Sequence, residues 1–477
     1  IFINDTTLEH DEINNVSEIP QYSFKGTTNL KLISSNSVTT INSHAFDGAN
    51  QLTTVNMQQL ITLGDYVFND CTSLKAVDMQ NLITIGAYAF YNCSSLTDVD
   101  MRCVETIGNS AFYGNDSLVE FKTFKDDDDT DINFFDKTLL SIGDNAFYGK
   151  GGILSKFKYP FLQPEKSQIT SIGSYAFYDQ DALGGYVTSS QTTTLEDESL
   201  QTETSVEYNL CEVILPKSLT KLGAYAFAEC DNISYVETGN KLTNIGDYAF
   251  ADGGSDINNR LESIKIEGTI IGPHMFENAQ IANDTGDRIT IENVETISDY
   301  AFYNANKLKN FKIPASVLTI GSYAFYNCNL WDNYVYTDEY AKTNYVPNKV
   351  TTIGAYAFGR CWSIENVVIS NSVQSIKEGA LEMNASLESL TIPFVGASRN
   401  SVDYGGEYLF KYSQTISTSG NKSDKEYNGR RVYYSYNYYQ AYIPYGLKKI
   451  ELTDSVNNGS HAFYPFYAGL TEVILNE

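Results

Sequence analysis

A phenylalanine recurs every 22 residues at Phe46, Phe68, Phe90 and Phe112, and its neighbours recur with it. Residues 85–101 read I-G-A-Y-A-F-Y-N-C-S-S-L-T-D-V-D-M, and the adjoining copies align to them without gaps. Further anchors follow at Phe147, Phe177, Phe227, Phe250, Phe276, Phe302, Phe325 and Phe358, with weaker copies at Phe24, Leu381, Phe410 and Phe463. A unit this short cannot enclose a core of its own. It must stack on its neighbours, so the chain folds as a repeat array and not as roughly three ordinary domains of about 150 residues.

Each repeated position has a physical role. Leu96, Val99 and Met101 fit a strand in which Val99 and Met101, two apart, face one side while Asp98 and Asp100 face the other. Parallel strands at Leu74–Met79, Leu96–Met101 and their equivalents are therefore predicted, the apolar side buried and the acidic side displayed. Ile85 and Gly86 open the opposite wall, where glycine would permit a tight turn. Ala89 and Phe90 fill the space between the walls.

The segment I-G-x-Y-A-F followed by C-x-x-L-x-x-V resembles the BspA-like subclass of bacterial and protist leucine-rich repeats over about residues 19–475. The resemblance implies a leucine-rich-repeat solenoid, a right-handed stack of about sixteen parallel-strand coils of about 22–23 residues with loop insertions. The expected organisation is an N-terminal cap (1–18), the solenoid (19–394), a Tyr-rich insertion (395–446) and final repeats (447–477). The resemblance also implies a secreted or cell-surface binding or adhesion protein that meets host or neighbouring-cell surface proteins or glycans. It brings no fixed catalytic residues. A purely structural surface spacer and a carbohydrate-active enzyme are the other readings.

Charge narrows the partners. The net charge of −27 repels phosphate backbones, so nucleic acid is not expected, and no run of apolar residues is long enough to span a membrane. The first residues, Ile1-Phe2-Ile3-Asn4-Asp5, do not read as a signal peptide. Where the repeat spacing lengthens, loops are expected at about 122–138, 184–208, 251–260, 277–288, 329–347 and 395–440, several along one rim, and one-sided insertions often mark a binding face.

Chemistry is sparse. Cys71, Cys93, Cys230, Cys328 and Cys361 all stand three residues after an anchor, in a slot that Ala49, Asn115, Ala305 and Asn384 hold elsewhere. They read as small buried side chains, while Cys103 and Cys211 fall outside the slot. The chain has no C-x-x-C pair and no zinc is expected. His44, His274 and His461 occupy the slot of Tyr66, Tyr88, Tyr225 and Tyr300, so they read as members of a stacked core column; only His10 is left over, and no histidine placed to meet a nucleophile is evident. No cofactor is expected beyond a weak calcium site at Asp126, Asp128 and Asp131, in an acidic run that lacks the EF-hand pattern. The segment 395–446 differs most, with eleven tyrosines and a local charge of +2. Tyr433, Tyr434, Tyr436, Tyr438, Tyr439, Arg430 and Arg431 are its candidate ligand-binding residues, because Tyr and Arg favour recognition hot spots.

Overall fold

The computed structural model describes the chain except residues 1–3, 6, 79, 98, 119–123, 126, 150–162, 181–185, 195–199, 209–210, 231–232, 252–260, 282–287, 309–310, 329–342, 399–405, 414–424, 428–429, 437–439, 455–469 and 476–477. Stacked parallel coils make a β-solenoid of about 14 turns with little helix, and they fall into two compact units, Ile1–Arg260 and Leu261–Glu477.

In the first unit one wall is a nine-stranded parallel ladder of two-residue strands, running from Glu18–Ile19 to Asn244–Ile245. Its register is regular: Thr40 pairs with Thr62, Thr62 with Thr84 and Thr84 with Thr106, each followed by a buried Ile or Leu. The opposite wall begins as a four-stranded parallel sheet of His10–Glu12, Leu32–Ser35, Thr54–Met57 and Ala76–Val77. The described residues of the expected strand Leu96–Met101 lie outside any strand, although Val99 and Met101 are buried as its pattern required. Burial of alternate residues needs only an extended chain, and Thr97 N–H still donates to Lys75 O in the coil before, at 3.3 Å. Between the walls run the anchors, stacked ring on ring from Phe24 to Phe250 at 4.9–5.4 Å.

The turn around each anchor explains the I-G-x-Y-A-F signature. Alternate amides reach the next coil: Tyr88 N–H donates to Asn109 O, Phe90 N–H to Ala111 O and Asn92 N–H to Tyr113 O, all at 2.8 Å. The amides between them close turns within the coil, as Tyr91 N–H does to Tyr88 O at 3.2 Å. This alternation puts Tyr88 and Asn92 in the left-handed region, both at φ 57°, and the same two slots repeat along the chain. That conformation costs roughly 1–2 kcal/mol per residue and more for β-branched side chains. Among the described residues, no Val, Ile or Thr holds either slot.

Gly86 is not the residue that makes the tight turn. A β-carbon on it would lie 2.4 Å from the carbonyl carbon of Gly64 in the coil before, and the same clash recurs at Gly108, Gly143, Gly173 and Gly223. The glycine lets two backbones approach; the positive φ falls on the tyrosine two residues later. Asn42 and Ser298 hold the glycine slot beside coils that carry Pro20 and Pro273.

The second unit repeats the plan with a five-stranded ladder from Ile270–Ile271 to Ser375–Ile376 and a five-stranded parallel sheet from Thr343–Val346 to Glu472–Leu475. In that sheet Ser389–Ile392 pairs directly with Lys449–Leu452. The residues between them thus leave and rejoin the coil without breaking the ladder. Two expected loops are more regular than their composition suggests. Residues 184–208 hold a long antiparallel hairpin of Tyr186–Thr194 and Leu200–Tyr208. Residues 122–138 hold a short antiparallel pair and the one-turn helix Phe134–Lys137.

Candidate functional site

The cysteine slot is structural, and its rule is finer than small size. Each thiol donates to the carbonyl of the anchor one coil earlier: Cys71 Sγ to Phe46 O at 3.2 Å, Cys93 to Phe68 O at 3.0 Å, Cys230 to Phe177 O at 3.0 Å, Cys328 to Phe302 O at 2.9 Å and Cys361 to Phe325 O at 3.2 Å. Asn115 and Asn384 make the same bond through Nδ2. Burial pushes the thiols of Cys71, Cys93, Cys328 and Cys361 up in pKa, so they stay protonated and able to donate. Titration of the native protein with a thiol reagent should find at most about two reactive groups. A third that reacts as fast as Cys103 would show the slot to be open.

Two tyrosine columns flank the anchors at the surface. One, two residues before the anchor, stacks Tyr22, His44, Tyr66 and Tyr88 at 4.5–5.0 Å. The other, one residue after it, stacks Tyr91, Tyr113, Tyr148 and Tyr178 at 4.9–5.2 Å. Where Ser110 and Asn145 interrupt the first column the second carries the stack, and Tyr175, Tyr225 and Tyr248 resume it. The histidines stand in the column as expected, but that column is not core. The His44 and His274 side chains are 25% and 20% exposed. Their Nδ1 atoms meet Asp47 and Glu277, because a left-handed residue at the turn points its side chain along the surface. His461 lies outside the described residues.

In the second unit this tyrosine face is covered at Tyr326 and Tyr356, while Tyr300, Tyr303 and Tyr323 stay half-buried. Residues Gly406–Phe410 form a 3-10 helix where the next coil's turn would be, and Leu381 N–H donates to Leu409 O. Lys411-Tyr412-Ser413 then lie against the coils. Lys411 pairs with Glu378, Tyr326 Oη lies 3.4 Å from Ser413 Oγ, and Ser413 N–H and Oγ–H both donate to Glu382 Oε1, at 3.1 and 3.0 Å. Arg360 lies over the rings of Tyr326 and Tyr412. Tyr326 and Tyr356 are buried, whereas their counterparts in the first unit are half-buried.

Beyond this contact, Lys425–Tyr427, Arg430–Tyr436 and Gln440–Pro444 form an antiparallel sheet. Val432 and Tyr442 pack with Met383 and Ala385, with Trp362 and Tyr412 against them. The candidate residues Arg430, Arg431, Tyr433, Tyr434 and Tyr436 thus share one strand, whose backbone register pairs Tyr433 with Ile443 and Tyr434 with Tyr442. Tyr438 and Tyr439 lie outside the described residues. Sequence reading did not single out Arg360, Trp362 or Glu382. The signal of Arg360 was there as a departure, since it holds a left-handed slot that is otherwise mostly Asn, Asp or Gly; Glu382 holds a slot whose most frequent occupant is Tyr but which Glu277 also fills.

Glu382 is fully buried. Burial raises its carboxyl pKa against the lowering by the Ser413 bonds and the nearby Arg360 guanidinium. A folded-state pKa above the unfolded value contributes stability in acid that is lost as pH rises through it. Glu382→Gln keeps an acceptor for Ser413 and removes the charge. The melting temperature of this variant minus that of the wild type should therefore climb between mildly acidic and neutral pH. A flat difference would mean that the carboxyl does not titrate in the clasp.

In the acidic run, Asp131 lies 3.0 Å from Lys125 and Asp128 lies 3.6 Å from Lys166, while Asp126 is outside the described residues. No group of three His, Cys, Asp or Glu able to hold a metal occurs among the described residues.

A family model described as BspA type leucine rich repeat region, of six copies, matches residues 1–119, 117–254, 170–285, 269–335 and 331–464. No curated protein matches the chain. Among solved structures, a leucine-rich repeat protein of Bacteroides ovatus is similar at 19% identity and TM-score 0.52, over 80% of this chain and 87% of that one. A leucine rich cell surface protein of Faecalibacterium prausnitzii is similar at 20% identity and TM-score 0.35, over 75% and 84%. At these identities the first likeness speaks for the fold alone.

Proposed function

Since the chain belongs to the BspA-type leucine-rich repeat family, we propose that it is a cell-surface or secreted binding protein, presenting its repeat surface and the Tyr-rich insertion to protein or glycan ligands on host or neighbouring cells. The observation that carries this reading is the antiparallel sheet at 425–444, an element outside the repeat that is tied to the coils by its own buried contacts. A spacer needs no such element. Tyrosine brings a broad apolar ring and a hydroxyl with few rotors to freeze, so ordering it on contact costs little entropy. Arg430 and Arg431 supply planar donors suited to carboxylates, including sialic-type acids. No described helix is long and apolar enough to cross a membrane.

Binding of the purified chain to immobilised extracellular-matrix proteins and to a glycan array tests the proposal. Alanine at Arg430 and Tyr436 together should weaken the best ligand by about tenfold or more, the scale of a recognition hot spot. If no ligand is found, or every ligand binds the variant at full affinity, the insertion is structural and the spacer reading replaces this one.

A further inference from the structure

The second unit demonstrates what a tyrosine face of this fold accepts. Its occupant is Lys411-Tyr412-Ser413, a basic, aromatic, hydroxyl-bearing stretch, and it lies on two buried tyrosines and two acids, Glu378 and Glu382. The first unit builds the same face over more coils and leaves it half-exposed. Tyr88, Tyr91, Tyr113, Tyr148, Tyr175 and Tyr178 run along it in an unbroken series of ring contacts of 4.9–6.5 Å. The rings stack on one another, so their faces are covered and they offer edges and hydroxyls.

Beyond Lys25, which pairs with Asp47 at 2.7 Å, the charge beside these rings has one sign. From the coil of Phe46 to that of Phe227, the three residues before each anchor and the two after it include six acids, Asp47, Asp65, Asp70, Asp144, Asp179 and Glu229, and no Lys or Arg. Asp70 is already oriented by Asn69 and Asn92, and Glu229 accepts from the Tyr178 hydroxyl at 2.6 Å. Carboxylates held in this way meet an incoming cation without first losing freedom.

We infer that the tyrosine face of the first unit is a docking surface for an extended, basic, tyrosine-bearing segment of a partner protein, held as the second unit holds Lys411-Tyr412-Ser413. This deepens the binding-protein reading and rests on it, but it names a different surface. A second copy of the chain is the weaker occupant, because two faces of the same acidic sign repel.

The probe is a fluorescein-labelled peptide of four Lys-Tyr-Ser units, with a Glu-Tyr-Ser peptide as control, followed by anisotropy at low and moderate salt. The wild-type chain should bind the first and not the second, more weakly as salt rises. The test variant is Asp70→Asn with Glu229→Asn. Asparagine holds the same slot at Asn92, Asn304 and Asn327, so the turn should survive, and an unchanged melting temperature checks it. The variant should lose at least about tenfold in peptide affinity. Equal binding of the two peptides, or undiminished binding by a folded variant, overturns the inference. A wild-type dimer that the variant converts to a monomer also overturns it, in favour of self-association. Because 425–444 is untouched, a folded variant that keeps both the peptide and the array ligands would sink the docking surface and leave the proposed function standing.

Discussion

Replacing Gly86 with alanine should cost about 3 kcal/mol, although its φ is not positive. The added methyl has no void to enter. It would lie 2.4–2.7 Å from the backbone of Gly64 and Asp65, and backbone cannot rotate away as a side chain can. Relief requires two coils to separate, which stretches the ladder bond from Gly86 N–H to Leu63 O, now 2.9 Å. Overpacking of a rigid site falls at the upper end of the roughly 1–3 kcal/mol range. Gly114 supplies the contrast. Its φ is +71°, yet a β-carbon there meets nothing closer than 3.7 Å, and Asn92 holds the same slot one coil away at φ 57°. Gly114→Asn should change stability by less than about 1 kcal/mol. Urea unfolding of both variants decides it, and equal losses would mean that coil separation is not what Gly86 protects.

Phe90→Ala should be at least as damaging, at about 4 kcal/mol. The ring is fully buried between Phe68 and Phe112, at 5.4 and 5.2 Å. Neither neighbour can slide into the gap, because each anchor is fixed by backbone bonds to the coils beside it. In a repeat array such a defect weakens two interfaces at once. Hydrogen exchange should show amides from about residue 66 to 114 opening together while those near Phe227 keep their protection. Faster exchange spread evenly over the first unit would contradict a nearest-neighbour core.

The repeat was legible in the sequence because its period and its six or more recurring positions have no other economical explanation. What each position does was legible only in part. Gly86 was read as a turn former because glycine's freedom in φ is the usual reason for it; coil-to-coil approach leaves no mark in a single repeat. The cysteine slot was read as small, yet the occupants Cys, Asn and Ala become intelligible only when the Phe carbonyl one coil earlier is seen to accept from the first two. The strand at Leu96–Met101 was read from alternation, which reports burial and not ladder bonds. The clasp around Glu382 was hidden because its parts, Tyr326, Arg360, Glu382 and Ser413, come from four separate stretches of chain and are united by an insertion that follows no period.

The tyrosine columns have a consequence for how a partner can sit. Successive coils offer aromatic rings at the same place, so a short segment that fits one site can shift to the next by rungs, the coils of Phe90 and Phe112 lacking the acid. With about five placements beside an acid, the statistical gain in binding is about 1 kcal/mol, from RT ln 5. The bound segment would not be fixed in one register; it would step along the stack without leaving it. Ser110 and Asn145, where the first column loses its rings, are the places at which such stepping would slow.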